Sequence, residues 1–331
     1  MQAIVRKQAM LVGISSVLHF LVDGLCVCCL YLLSPAADVS RLFGIFLTYN
    51  VLAFMTQPFT GIWADRSRHR YWLLLAAIVL LAVAVLSASW VSYAGQSRGS
   101  SVWMWVIASL LGMGNSLFHV WGGKQTVVKM GNDIRAVGVF VSTGAFGLAV
   151  GLVFRSWWLL DAFMLAIGLF AALYAYMDHA VERNEATGES LDRKAGKPIS
   201  QTFVVVAVIL VAAFVMFRSY VGEVFSSGVT KTQALILLMG AVSMLGKMAG
   251  GWIAKSFGIV WSMAVVLTAF VVCFIYKDSH MMVLLTGLFL INCTMPVTLY
   301  LANEVLKDRE GLAFGVLAAV LIPGYLLAIL Q

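Results

Sequence analysis

Residues 61–70 read GIWADRSRHR, a short basic segment between two long apolar runs. The run before this segment covers about 41–63, and the run after it covers about 71–92. Each run has the ~20 residues that an α-helix needs to cross the hydrocarbon core of a bilayer. The segment therefore predicts a hairpin of two membrane-spanning helices joined by a basic loop.

The rest of the chain repeats this pattern of apolar runs and short polar loops. Of its 331 residues, 62% are hydrophobic and 11% are charged, whereas a soluble domain has about 25% charged residues. This composition predicts an all-α polytopic membrane protein with eleven spans. The spans are predicted at about 9–33, 41–63, 71–92, 102–123, 134–154, 157–177, 201–226, 232–254, 257–276, 281–302 and 311–330.

One long polar stretch, 178–200, divides the spans into six and five. It has no periodic apolar face, which is typical of a linker that contains at most a short surface helix. We therefore predict an N-terminal six-helix bundle over 1–177, a cytoplasmic linker over 178–200 and a C-terminal five-helix bundle over 201–331.

The two predicted bundles share short sequence patterns. The interval from Asn115 to Gly138 equals that from Asn292 to Gly315, and both intervals end in Ala-x-Gly. Likewise the pattern Gln-x3-Gly-x2-Ala that begins at Gln57 matches Lys-x3-Gly-x2-Ala at 247–254. Internal repeats of this kind are frequent in transporters.

The distribution of positive charge predicts the orientation. The formal net charge is +7, and most Lys and Arg residues fall in loops on the same side as the N-terminus. The positive-inside rule then places the N-terminus in the cytoplasm and the C-terminus outside the cell membrane. The basic residues are dispersed between apolar runs, so we exclude nucleic acid as a partner.

Cysteine usage indicates neither a disulfide framework nor a metal site. The five cysteines all lie inside apolar runs and have no hydrophilic ligand types beside them. The chain also lacks a nucleotide-binding loop and a nucleophile elbow. We therefore predict no cofactor and no enzymatic activity, and we expect a monomer in the lipid bilayer.

The segment 61–70 resembles the loop between the second and third helices of the major facilitator superfamily. That loop follows the pattern Gly-x3-Asp-Arg/Lys-x-Gly-Arg/Lys-Arg/Lys, which Gly61, Asp65, Arg66 and Arg70 match, whereas Arg68 replaces the second glycine. The resemblance implies a two-bundle fold that lacks the last of the usual twelve helices. It also implies secondary active transport by alternating access, with Asp65 as a gating residue beside the start of the eleventh helix.

Three further segments are similar to the fosmidomycin-resistance type of this superfamily. They are NSLFH at 115–119, the glycine-rich stretch 138–151 and RSYVG at 218–222. This likeness implies export of a small amphipathic or anionic organic solute. The proline expected after His119 is Val120 here, and the stretch 144–151 lacks the proline of the antiporter pattern.

Ionisable residues inside spans are the best candidates for function because a charge in a bilayer costs about 2.5–3.5 kcal/mol on insertion scales. His19 and Asp23 lie four residues apart on one helical face. We predict that Asp23 carries a coupling proton and that His19 tunes it. The alternative is a hydrogen-bonded structural pair.

Several other polar residues are candidates for substrate binding. Arg218 is the best candidate for an anionic substrate, because its guanidinium matches carboxylate and phosphate geometry. The alternatives are ion pairs or snorkelling for the charged residues, and interhelical hydrogen bonds for the others. The candidate set is Arg218, Glu223, Lys247, His119, Asn115, Asn50 and Gln57.

These observations predict a proton-coupled secondary transporter of a small solute, with export favoured. An uptake symporter for organic anions is one alternative. A non-transporting membrane receptor or assembly protein on the same fold is another, and an inactive truncated form is the third.

Overall fold

The computed structural model describes residues 2–33, 39–67, 69, 71–93, 101–185, 200–227 and 229–330. Arg70 of the gating motif and residues 186–199 of the predicted linker lie outside these ranges.

The described residues form α-helices joined by short loops and one π-helical segment, Val51–Met55. The α-helices are α1 (Gln2–Leu33), α2 (Val39–Asn50), α3 (Gln57–Arg66), α4 (Trp72–Tyr93), α5 (Ser101–Met130), α6 (Ile134–Val153), α7 (Trp157–Glu185), α8 (Gln201–Ser226), α9 (Gln233–Phe257), α10 (Ile259–Ile275), α11 (Met281–Val305), α12 (Glu310–Ala319) and α13 (Leu321–Ile329).

The predicted all-α polytopic class, with about eleven apolar helices, is confirmed. Ten continuous helical segments of the described chain are long and apolar enough to cross a membrane, and α10 is a shorter apolar helix. Large apolar side chains such as Leu86, Leu210 and Val265 are 65–69% exposed. Such exposure is favourable when lipid rather than water surrounds the helices.

Two spans are interrupted, and a proline follows each interruption. The second span passes from α2 through the π-helical segment to α3, which has Pro58 in its first turn. The eleventh span breaks at Val320, between α12 and α13, and Pro323 lies in the first turn of α13. Proline has no N–H for the bond to the carbonyl four residues earlier, so a regular helix is disrupted there.

Glycines allow two close helix crossings between the halves of the chain. Gly61 of α3 lies against the backbone of Gly311 in α12, and Gly315 lies against that of Gln57. Gly138 of α6 lies against the backbone of Lys247 in α9. A Cβ atom at any of these glycines would overlap or press on the facing helix, so small residues are needed for backbones to approach.

The second crossing is the counterpart of the first in the repeated sequence pattern. Gly251 of α9 faces the backbone of Ile134 in α6, as Gly61 faces Gly311. The pattern Gln-x3-Gly and its copy Lys-x3-Gly therefore occupy equivalent crossings. The repeat seen in the sequence corresponds to a repeated packing arrangement, and both crossings lie at one end of the bundle, which we call the closed end.

The helix before the predicted linker extends beyond residue 178. Helix α7 continues to Glu185, and Asp178 is fully buried within it. Its carboxylate lies 2.6 Å from the ammonium of Lys129 and accepts a 2.6 Å hydrogen bond from the hydroxyl of Tyr71. A buried carboxylate that is paired in this way holds the end of α7 against its neighbours, which the polar sequence after residue 177 does not reveal.

Candidate functional site

A cavity of about 190 Å³ lies at the centre of the molecule, between the two halves of the chain. Most of its walls are apolar, with side chains such as Phe54, Val141, Met295 and Phe314. Its polar lining consists of His19, Asp23, Gln57, His119, Arg218 and Lys247. All six were predicted site residues, and the fold brings them together from five helices.

A wider cavity of about 620 Å³ adjoins the central one and shares Asp23 and Phe54 with it. Its lining extends to Tyr31 near the end of α1 and to Lys231 just before α9. These residues lie at the end of the bundle opposite the glycine crossings. The wider cavity therefore extends from the central cavity toward the end that faces away from the closed end.

Asp23 is the centre of a buried polar cluster that extends the predicted pair. His19 Nε2 lies 3.2 Å from one carboxylate oxygen, and His119 Nε2 lies 3.5 Å from the other. The two Nε2 atoms are 2.8 Å apart. Asn115 donates a 2.9 Å hydrogen bond to the same carboxylate from its side-chain amide. Helices α1 and α5 thus contribute two residues each.

The backbone determines which nitrogen of each imidazole carries a proton. His19 Nδ1 lies 2.7 Å from the carbonyl oxygen of Phe140, and His119 Nδ1 lies 2.9 Å from that of Asn115. A carbonyl oxygen can only accept, so both Nδ1 atoms are protonated donors. Both Nε2 atoms therefore point at each other and at Asp23.

Gly144 of α6 makes room for this cluster. A Cβ atom there would overlap Asp23 Oδ2 and His19 Nε2. Gly144 belongs to the glycine-rich stretch that the sequence pointed to, but it was not among the predicted site residues. Its function becomes visible only when α6 is packed against α1.

The cluster is also the one place in the described chain where three possible metal ligands converge. The donor atoms of His19, Asp23 and His119 lie within 4.8 Å of one another. In a tetrahedral zinc site, with Zn–N distances of about 2.0–2.1 Å, two nitrogens would be about 3.3 Å apart. The observed 2.8 Å between the Nε2 atoms instead fits a hydrogen bond.

Two cations line the cavity from the other half of the chain. Arg218 of α8 and Lys247 of α9 both reach the central cavity. Over the described residues, neither is within 4 Å of a carboxylate and neither donates a hydrogen bond. The cavity therefore contains two positive charges that the protein itself does not pair.

The remaining predicted residues have different surroundings. Gln57 is fully buried, and its amide donates to the carbonyl of Ala53, whereas its Oε1 has no partner. Asn50 lines the wider cavity and donates to the carbonyl of Phe46. Asn115 orients Asp23, and Glu223 lines neither of the two cavities. Substrate contact by Glu223 and Asn115 stays a prediction without support from this geometry.

The loop motif caps a helix of the opposite half. Asp65 accepts hydrogen bonds of 2.9 Å from the backbone N–H groups of Gly311 and Leu312, at the start of α12. The helix dipole favours an anion at this position. The ammonium of Lys124 lies 3.3 Å from the same carboxylate. Arg66 is exposed.

An acidic residue also lies at the second crossing, between α6 and α9. Asp133 caps α6, and its side chain accepts from the backbone N–H and the guanidinium of Arg135. These hydrogen bonds lower the pKa of the Asp133 carboxyl. Lys255, at the position that corresponds to the motif acid, lies 3.9 Å from Asp133. The closed end thus has an acid at the start of both α6 and α12.

Solved structures share this fold at low sequence identity. A major facilitator superfamily transporter, FucP, in the outward conformation matches with 13% identity and a TM-score of 0.59, over 96% of this chain and 89% of that chain. The E. coli fucose:proton symporter FucP gives 13% identity and a TM-score of 0.56, over 95% and 88%. A bacterial homologue of the iron transporter ferroportin, outward-facing with soaked iron, gives 15% and 0.59, over 96% and 92%.

These matches confirm the predicted fold class, a polytopic two-bundle fold of the major facilitator type. No protein-family profile matches the sequence, and no curated protein matches it either. The fosmidomycin-resistance type is therefore not confirmed.

Proposed function

We propose that this chain is a secondary active transporter that moves a small organic anion through the membrane by alternating access, with protons as the coupling ion. The observation that carries this proposal is the pair of unpaired cations, Arg218 and Lys247, in a mostly apolar cavity. Unpaired charges at membrane depth are costly, so an anion that enters the cavity is stabilised by both.

The shape of the cavity supports alternating access. The central cavity adjoins a wider cavity that extends toward one end of the bundle, and the glycine crossings lie toward the other end. Transporters of this kind bind substrate near the midplane, where the halves meet, and rock the halves about that site. The apolar walls around the cations favour an amphipathic anion over an inorganic one.

The polar cluster supports proton coupling. Asp23, His19 and His119 are titratable groups that face the cavity, and their charge changes when a proton binds or leaves. The charge balance favours the alternative direction, which is uptake by symport. A proton on the cluster adds positive charge beside Arg218 and Lys247, so proton and anion attract each other and bind cooperatively. Export stays a prediction that rests on the subfamily resemblance.

The test is an anion-binding measurement on the purified protein. A panel of aromatic and aliphatic carboxylates and phosphate monoesters is screened for compounds that raise the melting temperature. Hydrogen bonds to charged groups contribute about 1.5–3 kcal/mol. Arg218→Gln and Lys247→Gln should therefore each weaken binding of a hit by about 10- to 100-fold.

Lys307→Gln is the matched control, because Lys307 is exposed at the closed end and should leave binding unchanged. Equal loss in all three variants, or stabilisation by cations and not by anions, would contradict an anionic substrate. For direction, a hit is tested in liposomes with an imposed pH difference. Accumulation on the alkaline side supports symport, and depletion from that side supports antiport.

A further inference from the structure

The hydrogen bonds of the two buried histidines determine how many protons the pair can carry. Both Nδ1 atoms are donors to carbonyl oxygens, so the contact between His19 and His119 involves only the Nε2 atoms, which are 2.8 Å apart. If neither Nε2 carried a proton, two lone pairs would face each other at this distance. If both carried one, two N–H groups would collide. The geometry is consistent with one proton between them.

We infer that the coupling charge of this site is a single proton shared between Nε2 of His19 and Nε2 of His119, with Asp23 as its permanent counter-ion. The inference rests on the proposed proton coupling and names the atoms involved. It changes the role predicted for Asp23 from proton carrier to carboxylate anchor. His119 becomes the second half of the proton site.

The surroundings of Asp23 fit an ionised carboxylate. It accepts from the amide of Asn115 at 2.9 Å, and it lies beside both Nε2 atoms. The hydrogen bond from Asn115 and the positive charge of the proton-sharing imidazoles favour the charged form of the carboxylate. A positive imidazole pair and a negative carboxylate together are neutral, so this cluster is tolerated in a buried location without any further ion.

Other groups face this cluster from the helices packed around it. The charged ones are Arg218 of α8 and Lys247 of α9, which line the same cavity. Cys26 and Tyr49 are buried near Asp23 and Asn115. An anion that sits on Arg218 and Lys247 reduces the repulsion they exert on the shared proton. Anion and proton therefore stabilise each other.

Loss of the proton has a structural consequence. The N–H bond breaks, its electron pair stays on nitrogen and the proton leaves to solvent through the wider cavity. The two lone pairs then repel, so the rings must separate. The ring centroids of His119 and Phe314 are 6.5 Å apart. Phe314 belongs to α12, the helix that Asp65 caps. Movement of His119 therefore reaches the helix that closes the cavity.

The first experiment detects the shared proton by NMR spectroscopy and needs no substrate. The chain has five histidines, and the other three, His69, His179 and His280, are exposed. Protein labelled with ¹⁵N-histidine should show a scalar coupling between two imidazole nitrogens across an N–H···N bond. His19→Gln and His119→Gln should each abolish that coupling, whereas His280→Gln should keep it.

Three spectroscopic results would overturn the inference. They are two unprotonated Nε2 signals, two fully protonated ones, or a stoichiometric divalent metal in the purified protein whose removal shifts both Nε2 signals. The last result would mean that the cluster holds a metal ion in place of the proton.

The second experiment connects the shared proton to coupling. His119→Gln should lose accumulation driven by a pH difference, and any anion exchange that it retains between liposome compartments should no longer vary with pH, since the variant has no shared proton to lose. Full accumulation in this variant would contradict the inference. Wild-type protein that shows the nitrogen–nitrogen coupling but binds no anion would instead overturn the proposed transport function, so the two failures are distinguishable.

Discussion

At the scale of single residues, the site depends on close packing of polar atoms within a small volume. His19, Asp23 and His119 place their polar atoms within 4.8 Å of one another. Such a cluster tolerates neither added volume nor a missing charge, because buried polar networks are costly when they are only partly satisfied. Substitutions here should affect coupling before they affect insertion into the membrane.

Gly144→Ala tests the space around the cluster. The new methyl group would overlap Asp23 Oδ2 and His19 Nε2, and overpacking typically costs about 1–3 kcal/mol. We expect a lower melting temperature and loss of proton-driven accumulation, although no titratable group has been removed. Gly168→Ala is the control, because nothing lies within 4 Å of its added Cβ. If both variants behave like wild type, the packing of α6 against the cluster is wrong.

Asp23→Asn tests the requirement for a carboxylate. The amide keeps the shape of the side chain but carries no negative charge to balance a proton. Accumulation against a gradient should be abolished, whereas some substrate exchange in liposomes should remain. A variant that still concentrates substrate when a pH difference is imposed would show that Asp23 is dispensable for coupling.

At the scale of elements, closure depends on helix ends. Asp65 joins the end of α3 to the start of α12 through two hydrogen bonds of 2.9 Å, and the interface beside it is lined by glycines. The contact joins the two halves of the chain, so under the proposed alternating access it has to break when the closed end opens. Such a contact stabilises one conformation and leaves the helices themselves unchanged.

Asp65→Asn should weaken this closure. The substitution removes the negative charge that the helix dipole and Lys124 favour, at a cost of about 0.3–1 kcal/mol for the dipole alone. Transport should decrease, and the resting population should shift toward opening at the closed end. Spin labels at Trp63 and Phe257, both exposed, would measure the distance across that end. Asp278→Asn, at an exposed site at the other end, should show no shift.

At the scale of the whole molecule, the closed end is the end predicted to face the cytoplasm. It contains the end of α3 and the turns at 131–133 and 306–309. Most of the chain's Lys and Arg residues were predicted to lie on this side. Under the predicted orientation, the wider cavity would face the outside.

Reporter fusions test this orientation. Fusions at Gly131 and Lys194 should both report a cytoplasmic location, and a fusion at Lys277 should report the external side. The positive-inside rule sets these expectations. An external signal at Gly131 would mean that the protein has the opposite orientation in the membrane. The proposed direction of transport would then be reversed.

The sequence by itself determined the number of spans, the pairing of His19 with Asp23 on one helical face and the acid of the loop motif. These features depend on local properties: apolar length, the 3.6-residue helical period and a short motif. Local properties are encoded in adjacent residues, so they can be read without knowing how the helices pack.

Only the tertiary structure decided which helix faces meet. It brought His119 to His19 across 100 positions of sequence and placed Arg218 and Lys247 in the same cavity as Asp23. It also showed that the cluster needs a residue without a side chain at Gly144. The physical reason is the solvent. In water, an apolar stripe reveals which face of a helix is buried, but in lipid both faces are apolar. The rotation of each helix is therefore determined by close packing between distant residues, which the hydrophobic pattern of one sequence does not record.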